Sequence, residues 1–153
     1  MKKIELTAYD MAQRFVGIKE IPGSKHDDQI LAMLRLDQKW PEGDEVPWCS
    51  AFVNYIAWLL RLPRSKSLRA RSWLQVGHPI NTMSPEVGFD VVILKRKKED
   101  PGPETIDFVG HVGFFAGWEN YDTILLLGGN QSDSVSISPY PTSKMLGVRR
   151  LLV

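Results

Sequence analysis

The distribution of apolar and polar residues divides the chain into a helical first half and a β-rich second half. Thr7, followed three residues later by Asp10, resembles a capping box, and the apolar face that follows predicts a helix ending near Gly17. A second helix is predicted to begin at Asp27 or Asp28, either of which would serve as its cap.

Two further helices are predicted before the chain changes character. The run 48–60 is strongly apolar, follows a polar loop with two prolines and ends before Pro63. A short helix is predicted over residues 70–76, ended by Gly77.

The second half is predicted to form consecutive strands. Short runs of β-branched and apolar residues alternate with turn residues and predict strands at 90–95, 111–116, 123–127, 134–138 and 147–153. The charged segment 95–107 is predicted to be a hairpin loop. Helices followed by strands favour an α+β fold, with N-terminal helices packed on a roughly five-stranded antiparallel sheet. No repeat or boundary divides the chain, so we expect one domain over residues 1–153.

Composition excludes several classes of protein. The chain has 153 residues, of which 43% are apolar and 24% charged, as is ordinary for a globular domain. Its formal net charge is +1, so no global field indicates binding to nucleic acid or to a membrane. A single cysteine rules out an internal disulfide and a multi-thiolate zinc site, and neither histidine-rich nor acidic metal-ligand spacing occurs. We therefore expect no metal and no cofactor.

The chain has neither the pattern of a secretory signal nor that of a membrane span. Acidic residues interrupt the N-terminal segment, and the longest uncharged run, 46–60, has only 15 residues. We expect synthesis in the cytoplasm, so that action outside the cell would require another component for release.

Cys49 is a candidate nucleophile because it lies at the predicted start of the third helix. Unpaired backbone N–H groups and the helix dipole favour an anion there, which makes a thiol more readily a thiolate. The alternative is an inert cysteine buried among apolar neighbours.

His111 and Asn130 complete a possible Cys-His-Asn arrangement. His111 lies between two glycines on a predicted strand, and Asn130 follows the next strand in Gly-Gly-Asn. An Asn130 carboxamide that accepted a hydrogen bond from Nδ1–H of His111 would leave Nε2 facing the sulfur. The alternatives are a strand histidine bonded to a backbone carbonyl and an asparagine that serves only the turn.

The segments around these residues resemble a known superfamily. WCSAFVNY, ARSWL, GHVGFF, LGGNQSDSVSIS and a closing LGVRR are similar to the phage and prophage branch of the CHAP amidohydrolases and peptidases, over nearly the whole chain. Those enzymes share a papain-like core with the NlpC-type cell-wall peptidases. The chain departs from NlpC-type patterns in having Trp48 before the cysteine and Asn130 in place of a second histidine.

The resemblance implies a papain-like fold and acyl-transfer chemistry on peptidoglycan. It assigns Cys49 as nucleophile, His111 as general base and Asn130 as the orienting residue. Trp48, Trp73 and Arg71 are candidates for the wall of the substrate groove, since an aromatic face suits a sugar or a peptide stem and a guanidinium suits a carboxylate. The alternative for each is core packing or a surface charge.

The expected function is peptidoglycan hydrolysis, either between muramic acid and the first alanine or within the peptide stem. Such a protein would be a phage or prophage endolysin or a related lytic protein, acting as a monomer on the cell wall after release by a holin or a delivery system. Two alternatives remain open: a catalytically silent module that binds the cell wall or a phage structure, and a cysteine protease that acts on proteins.

Overall fold

Three short α-helices occupy the first part of the chain. The computed structural model describes residues 1–23, 25–41, 43 and 47–152, and its helices are α1 (Ala8–Gln13), α2 (Asp28–Leu34) and α3 (Cys49–Leu59). The predicted capping box of α1 is confirmed, because the Thr7 hydroxyl accepts from the amide of Asp10 and the Asp10 carboxylate accepts from the amide of Thr7. No described helix has the length and apolar character needed to cross a bilayer.

The helix boundaries are close to those predicted from the sequence. Asp27 caps α2 by accepting from two backbone amides at 3.0 Å, and α3 lies within the predicted range 48–60. The predicted fourth helix is a 3-10 helix, Ala70–Gln75, and α1 ends earlier than expected, before the turn that leads to Gly17.

The β-rich half forms a six-stranded antiparallel sheet in the order β1-β6-β2-β3-β4-β5. The strands are β1 (His78–Ile80), β2 (Asp90–Leu94), β3 (His111–Asn120), β4 (Thr123–Gln131), β5 (Ser134–Pro141) and β6 (Met145–Arg150). The five predicted strands are confirmed, but their number is corrected to six. The added strand, β1, has three residues and contains a proline, so it is too short for alternation to show.

The sheet separates two apolar clusters. Alternate residues of the central strand β2 face opposite sides: Val91 and Ile93 join the larger cluster with α3, whereas Val92 and Leu94 join a smaller one. All five residues of β2 are buried. Helix α3 packs on β3 and β4, and this contact holds the start of the helix beside the sheet.

An ion pair between a buried carboxylate and a partly buried guanidinium joins β2 to β6. The Arg150 guanidinium donates from Nε to Oδ1 of Asp90 at 2.7 Å and from Nη2 to Oδ2 at 2.9 Å. The same carboxylate accepts from the backbone amide of Glu86 at 2.7 Å, so both of its oxygens are bonded although the residue is only 1% exposed. Asp90 and Arg150 are also register partners, and the pair therefore stabilises this pairing of the strands.

We expect Asp90→Ala to lower the free energy of unfolding by about 3 kcal/mol, because it leaves a partly buried guanidinium without its main partner. Urea denaturation followed by circular dichroism measures the change. Glu86→Ala is the matched control: its carboxylate is exposed and lies 3.3 Å from the same guanidinium, so the loss should stay below about 1 kcal/mol. Equal losses in the two variants would show that the bidentate pair contributes little.

Candidate active site

Cys49 is the first residue of α3, and two buried indoles hold the start of that helix. Trp48 is fully buried, and its Nε1 donates to Oε1 of Glu20 at 2.6 Å. Its ring lies against Gly129 of β4, where a Cβ atom would come within 2.7 Å of the ring carbons. Because only glycine leaves this space, the start of α3 can lie directly against β4.

A second contact fixes the other side of the helix start. Trp73, from the 3-10 helix, donates from Nε1 to Oγ of Ser50 at 2.9 Å, and the Ser50 hydroxyl donates to the carbonyl of Ser67 at 2.6 Å. The residues on both sides of Cys49 are therefore anchored, and the thiol is held in place.

The thiol of Cys49 and the ring of His111 lie close enough for each to shift the pKa of the other. Burial raises the pKa of the Cys49 thiol, but the hydrogen bond and the charge of His111 outweigh it and hold that pKa below its ordinary value. A hydrogen bond from the backbone of Val112 and the charge of Arg96 act in the same direction.

The pKa of His111 moves in the opposite sense. Burial lowers it and the charge of Arg96 lowers it further, but hydrogen bonds to Cys49 and Gln131, together with the charge of the sulfur, raise it above its ordinary value. A lowered thiol pKa beside a raised imidazole pKa favours a thiolate–imidazolium pair. Such a pair can act as a nucleophile with an adjacent proton donor.

The side chain of Gln131 determines which nitrogen of His111 faces the sulfur. Its Nε2 donates to the carbonyl of Leu126 at 3.1 Å and to that of Ser136 at 2.7 Å. With the amide nitrogen so bonded, Oε1 faces Nε2 of His111 at 2.9 Å and can only accept. The ring must therefore carry a proton on Nε2, which leaves Nδ1 as the nitrogen available to Cys49.

This geometry corrects the role predicted for Asn130. The carboxamide against His111 belongs to Gln131, and the ring has the reverse orientation to that expected, with Nε2 rather than Nδ1 toward the amide. The reason is a bulge in β4 between Gly128 and Gln131, where Asn130 adopts φ +58°. The bulge shifts the alternation by one residue. Gly128 leaves room for the shifted side chain, because a Cβ there would lie 2.7 Å from Oε1 of Gln131.

Tyr140 is a site residue that the sequence analysis did not identify. Its ring lies 5.2 Å from the His111 ring, centroid to centroid, and its hydroxyl is 3.2 Å from Nε2. Burial and the charge of Cys49 raise the pKa of Tyr140 to about 12, so the phenol stays protonated at neutral pH. Tyr140, on β5, thus packs against the imidazole of His111, on β3. It lies two residues beyond the strand predicted at 134–138, because β5 extends to Pro141.

The thiol lines a cleft of about 150 Å³, although only 3% of Cys49 is exposed. The cleft is lined by Pro47, Cys49, Leu68, Arg69, Ala70, Arg96, Phe108, Val109 and Gly110. A second hollow of about 370 Å³ shares Pro47, Leu68 and Arg69 with it and reaches the exposed ring of Trp40. The two hollows adjoin along these shared residues, and we refer to them together as the groove.

The three predicted groove residues lie in the core, which corrects that assignment. Trp48, Trp73 and Arg71 are each 0% exposed. Arg71 serves the loop that forms one wall of the cleft: its guanidinium donates to four backbone carbonyls at 2.8 to 3.0 Å, those of Pro101, Gly102, Thr105 and Val109. These side chains shape the groove from behind and do not face it.

Over the described ranges, no group of three or more histidine, cysteine, aspartate or glutamate side chains is placed to hold a metal ion.

Comparison with known proteins identifies the fold. No protein-family model matches the sequence, and no curated protein matches it significantly. Among solved structures, NlpC1 of Trichomonas vaginalis is similar with a TM-score of 0.58 and 16% sequence identity. The match covers 98% of this chain and 46% of that protein, so the chain spans about half the length of its structural relative. The chain therefore has an NlpC-like fold.

We expect iodoacetamide to alkylate Cys49 with a pH midpoint below the ordinary cysteine value of about 8.5. Because His111 favours the thiolate and so lowers the pKa of Cys49, the thiolate remains present at pH values somewhat below about 8.5. In His111→Ala burial remains and the imidazole is gone, so the midpoint should rise above about 8.5. The rate constant of alkylation against pH measures both, with the urea-unfolded chain as reference. Coincident midpoints in the two folded proteins would contradict the pairing.

We expect Gln131→Leu to abolish the preference of His111 for a proton on Nε2, because leucine fills a similar volume without an acceptor. Nitrogen NMR of labelled histidine in a Cys49→Ala background, where the ring is neutral at mildly basic pH, distinguishes the two tautomers. Tyr140→Phe is the control and should retain the Nε2–H form, since the Gln131 oxygen is still present. A Gln131→Leu protein with an unchanged tautomer would show that another group orients the ring.

Proposed function

We propose that this chain is a cysteine-dependent peptidoglycan hydrolase of papain-like fold, with Cys49 as nucleophile and His111 as its acid and base. The observation that carries the proposal is the pairing of Cys49 with His111 at a helix start beside a cleft, where each side chain shifts the pKa of the other toward a thiolate–imidazolium pair. Gln131 takes the orienting place predicted for Asn130. The NlpC-like fold supports the cell wall as the source of the substrate.

Attack on the substrate begins at the sulfur. The Cys49 thiolate forms a C–S bond to the carbonyl carbon of an amide, and the π electrons move to oxygen. The first backbone N–H groups of an α-helix have no intrahelical acceptor, so those at the start of α3 are suited to donate to this oxyanion. The helix start thus both favours the thiolate and stabilises the intermediate.

Collapse of the intermediate requires a proton donor. The protonated nitrogen of His111 that faces the sulfur, Nδ1, transfers its proton to the leaving nitrogen as the C–N bond breaks, which yields a thioester on Cys49. The now neutral His111 takes a proton from water as that water attacks the thioester. The C–S bond then breaks and the thiolate–imidazolium pair is restored.

Gln131 keeps the ring in place through both steps. Its oxygen accepts from Nε2–H whether His111 is neutral or protonated, so the ring need not rotate during the cycle. A neutral carboxamide stabilises imidazolium less than a carboxylate would, and it orients the ring equally well.

The groove suits an extended polymer. From the sulfur it passes Pro47 and Leu68 to Trp40, whose ring is 61% exposed and offers an apolar face to a sugar or a peptide stem. We propose that the bond cut is either that between muramic acid and the first alanine or one within the stem. The protein would reach the wall after synthesis in the cytoplasm, through a holin or a delivery system, as a phage endolysin does.

Mass spectrometry of purified sacculi tests the proposal. Wild type should release fragments with one new type of terminus, which identifies the bond, and Cys49→Ala should lower the rate by more than about a thousandfold because the nucleophile is lost. Ser84→Ala, in a surface turn distant in sequence from every site residue, is the matched control and should match wild type.

Equal release of fragments by wild type and Cys49→Ala would contradict the proposal that Cys49 is the nucleophile of a hydrolase. Binding of both to sacculi without any new terminus would instead indicate a silent cell-wall module. Cleavage of casein with intact sacculi would indicate a protease that acts on proteins.

A further inference from the structure

The cleft beside Cys49 has a positively charged rim. Arg69 and Arg96 are its charged lining residues, both are exposed, and none of its described lining residues is acidic. The remaining lining groups are apolar side chains and backbone. A ligand that fills this cleft therefore contacts two arginines as well as Cys49.

The two arginines differ in how far they are already bonded. Nη2 of Arg69 lies 2.9 Å from Oδ1 of Asp107, and both side chains are largely exposed. Arg96 donates from Nε to the carbonyl of Gly110 at 3.0 Å. Within the described part of the chain neither Nη group of Arg96 has a hydrogen-bond partner, so its donors remain available to a ligand.

A guanidinium whose Nη donors are available is suited to bind a carboxylate. Its planar donors can bind both oxygens of a carboxylate, with more energy and more directional constraint than a neutral group provides. The loop that ends at Gly110 fixes the orientation of Arg96, so little side-chain entropy is lost on binding.

Arg96 also acts on the reacting pair. Its charge lowers the pKa of the Cys49 thiol, which favours the thiolate, and it lowers the pKa of His111, which disfavours the proton donor. A carboxylate bound to Arg96 would offset both effects, so it is the guanidinium and its Nη donors that favour an acidic ligand.

We propose that Arg96, assisted by Arg69, binds a free carboxylate of the substrate next to the amide that Cys49 attacks. Arg96 is then a specificity-determining residue, and the substrate class is an acidic peptide stem whose carboxylate is not amidated. This inference rests on the proposed function for the identity of the scissile bond, but the binding of the carboxylate can be measured without hydrolysis.

The test uses a matched pair of soluble muropeptides, one with free carboxylates and one with the same groups converted to carboxamides. Isothermal titration calorimetry on Cys49→Ala measures binding without turnover. The free acid should bind roughly 10-fold or more tightly than the amide, as for a hydrogen bond to a charged group. Adding Arg96→Gln should bring the ratio of the two dissociation constants close to one.

Two controls separate a loss of recognition from a loss of structure. Arg14→Gln removes an exposed arginine that lies at the end of α1, outside the cleft, and should keep the full preference. Arg96→Lys retains the charge without the planar fork and should give an intermediate ratio. Thermal unfolding checks that each variant is folded.

Equal binding of the two muropeptides by Cys49→Ala, or a preference that survives Arg96→Gln, would overturn this inference. Neither result tests hydrolysis, which is measured separately by comparing the digestion of sacculi by wild type and by Cys49→Ala. A preference for the free acid that is lost in Arg96→Gln supports the inference even if no bond is cut.

Discussion

The direction of one carboxamide determines what the imidazole of His111 can do. Both N–H bonds of Gln131 are directed to backbone carbonyls, so its oxygen is the only atom it can present to the ring. A flipped amide would place a donor against Nε2 and two carbonyls against an oxygen, leaving several buried polar groups unpaired. The carbonyls that fix the amide belong to β4 and β5, so the tautomer of His111 is determined by the sheet and not by Cys49.

The segment of β4 that contains the bulge also brings the sulfur of Cys49 close to the ring of His111. The bulge in β4 turns Gln131 toward His111, and two glycines in that segment leave room for its carboxamide and for the indole of Trp48. Trp48 in turn directly precedes Cys49. One short segment, Gly-Gly-Asn-Gln, thus positions both the base and the start of the helix that carries the thiol. A side chain at Gly129 would press on Trp48 and Phe52 and move the start of α3 away from the sheet, whereas one at Gly128 would displace the carboxamide of Gln131.

These contacts also explain which predictions from the sequence were correct. The apolar run that stops before Pro63 located α3, and runs of β-branched and apolar residues between turn residues located the five longer strands, since these features depend on neighbours along the chain. This placed Cys49 and His111 at a helix start and a strand start. The step from Asn130 to Gln131 could not be predicted, because a bulge reverses the alternation without changing composition. Burial of Arg71 was equally invisible, since an arginine's usual place is the surface and its four carbonyl partners lie 30 to 38 residues away.

The contrast between Arg71 and Arg96 shows how one side-chain type serves two purposes at one cleft. The loop between β2 and β3 is charged and contributes few apolar side chains to the core, so hydrophobic burial alone would hold it weakly. The buried guanidinium of Arg71 donates to four backbone carbonyls of that loop, so it cannot contact a ligand. The loop, once held, presents the Gly110 carbonyl that orients Arg96. Recognition by an exposed guanidinium therefore depends on a buried one: loss of Arg71 would release the wall and the anchor of Arg96 together, whereas loss of Arg96 would leave the wall intact.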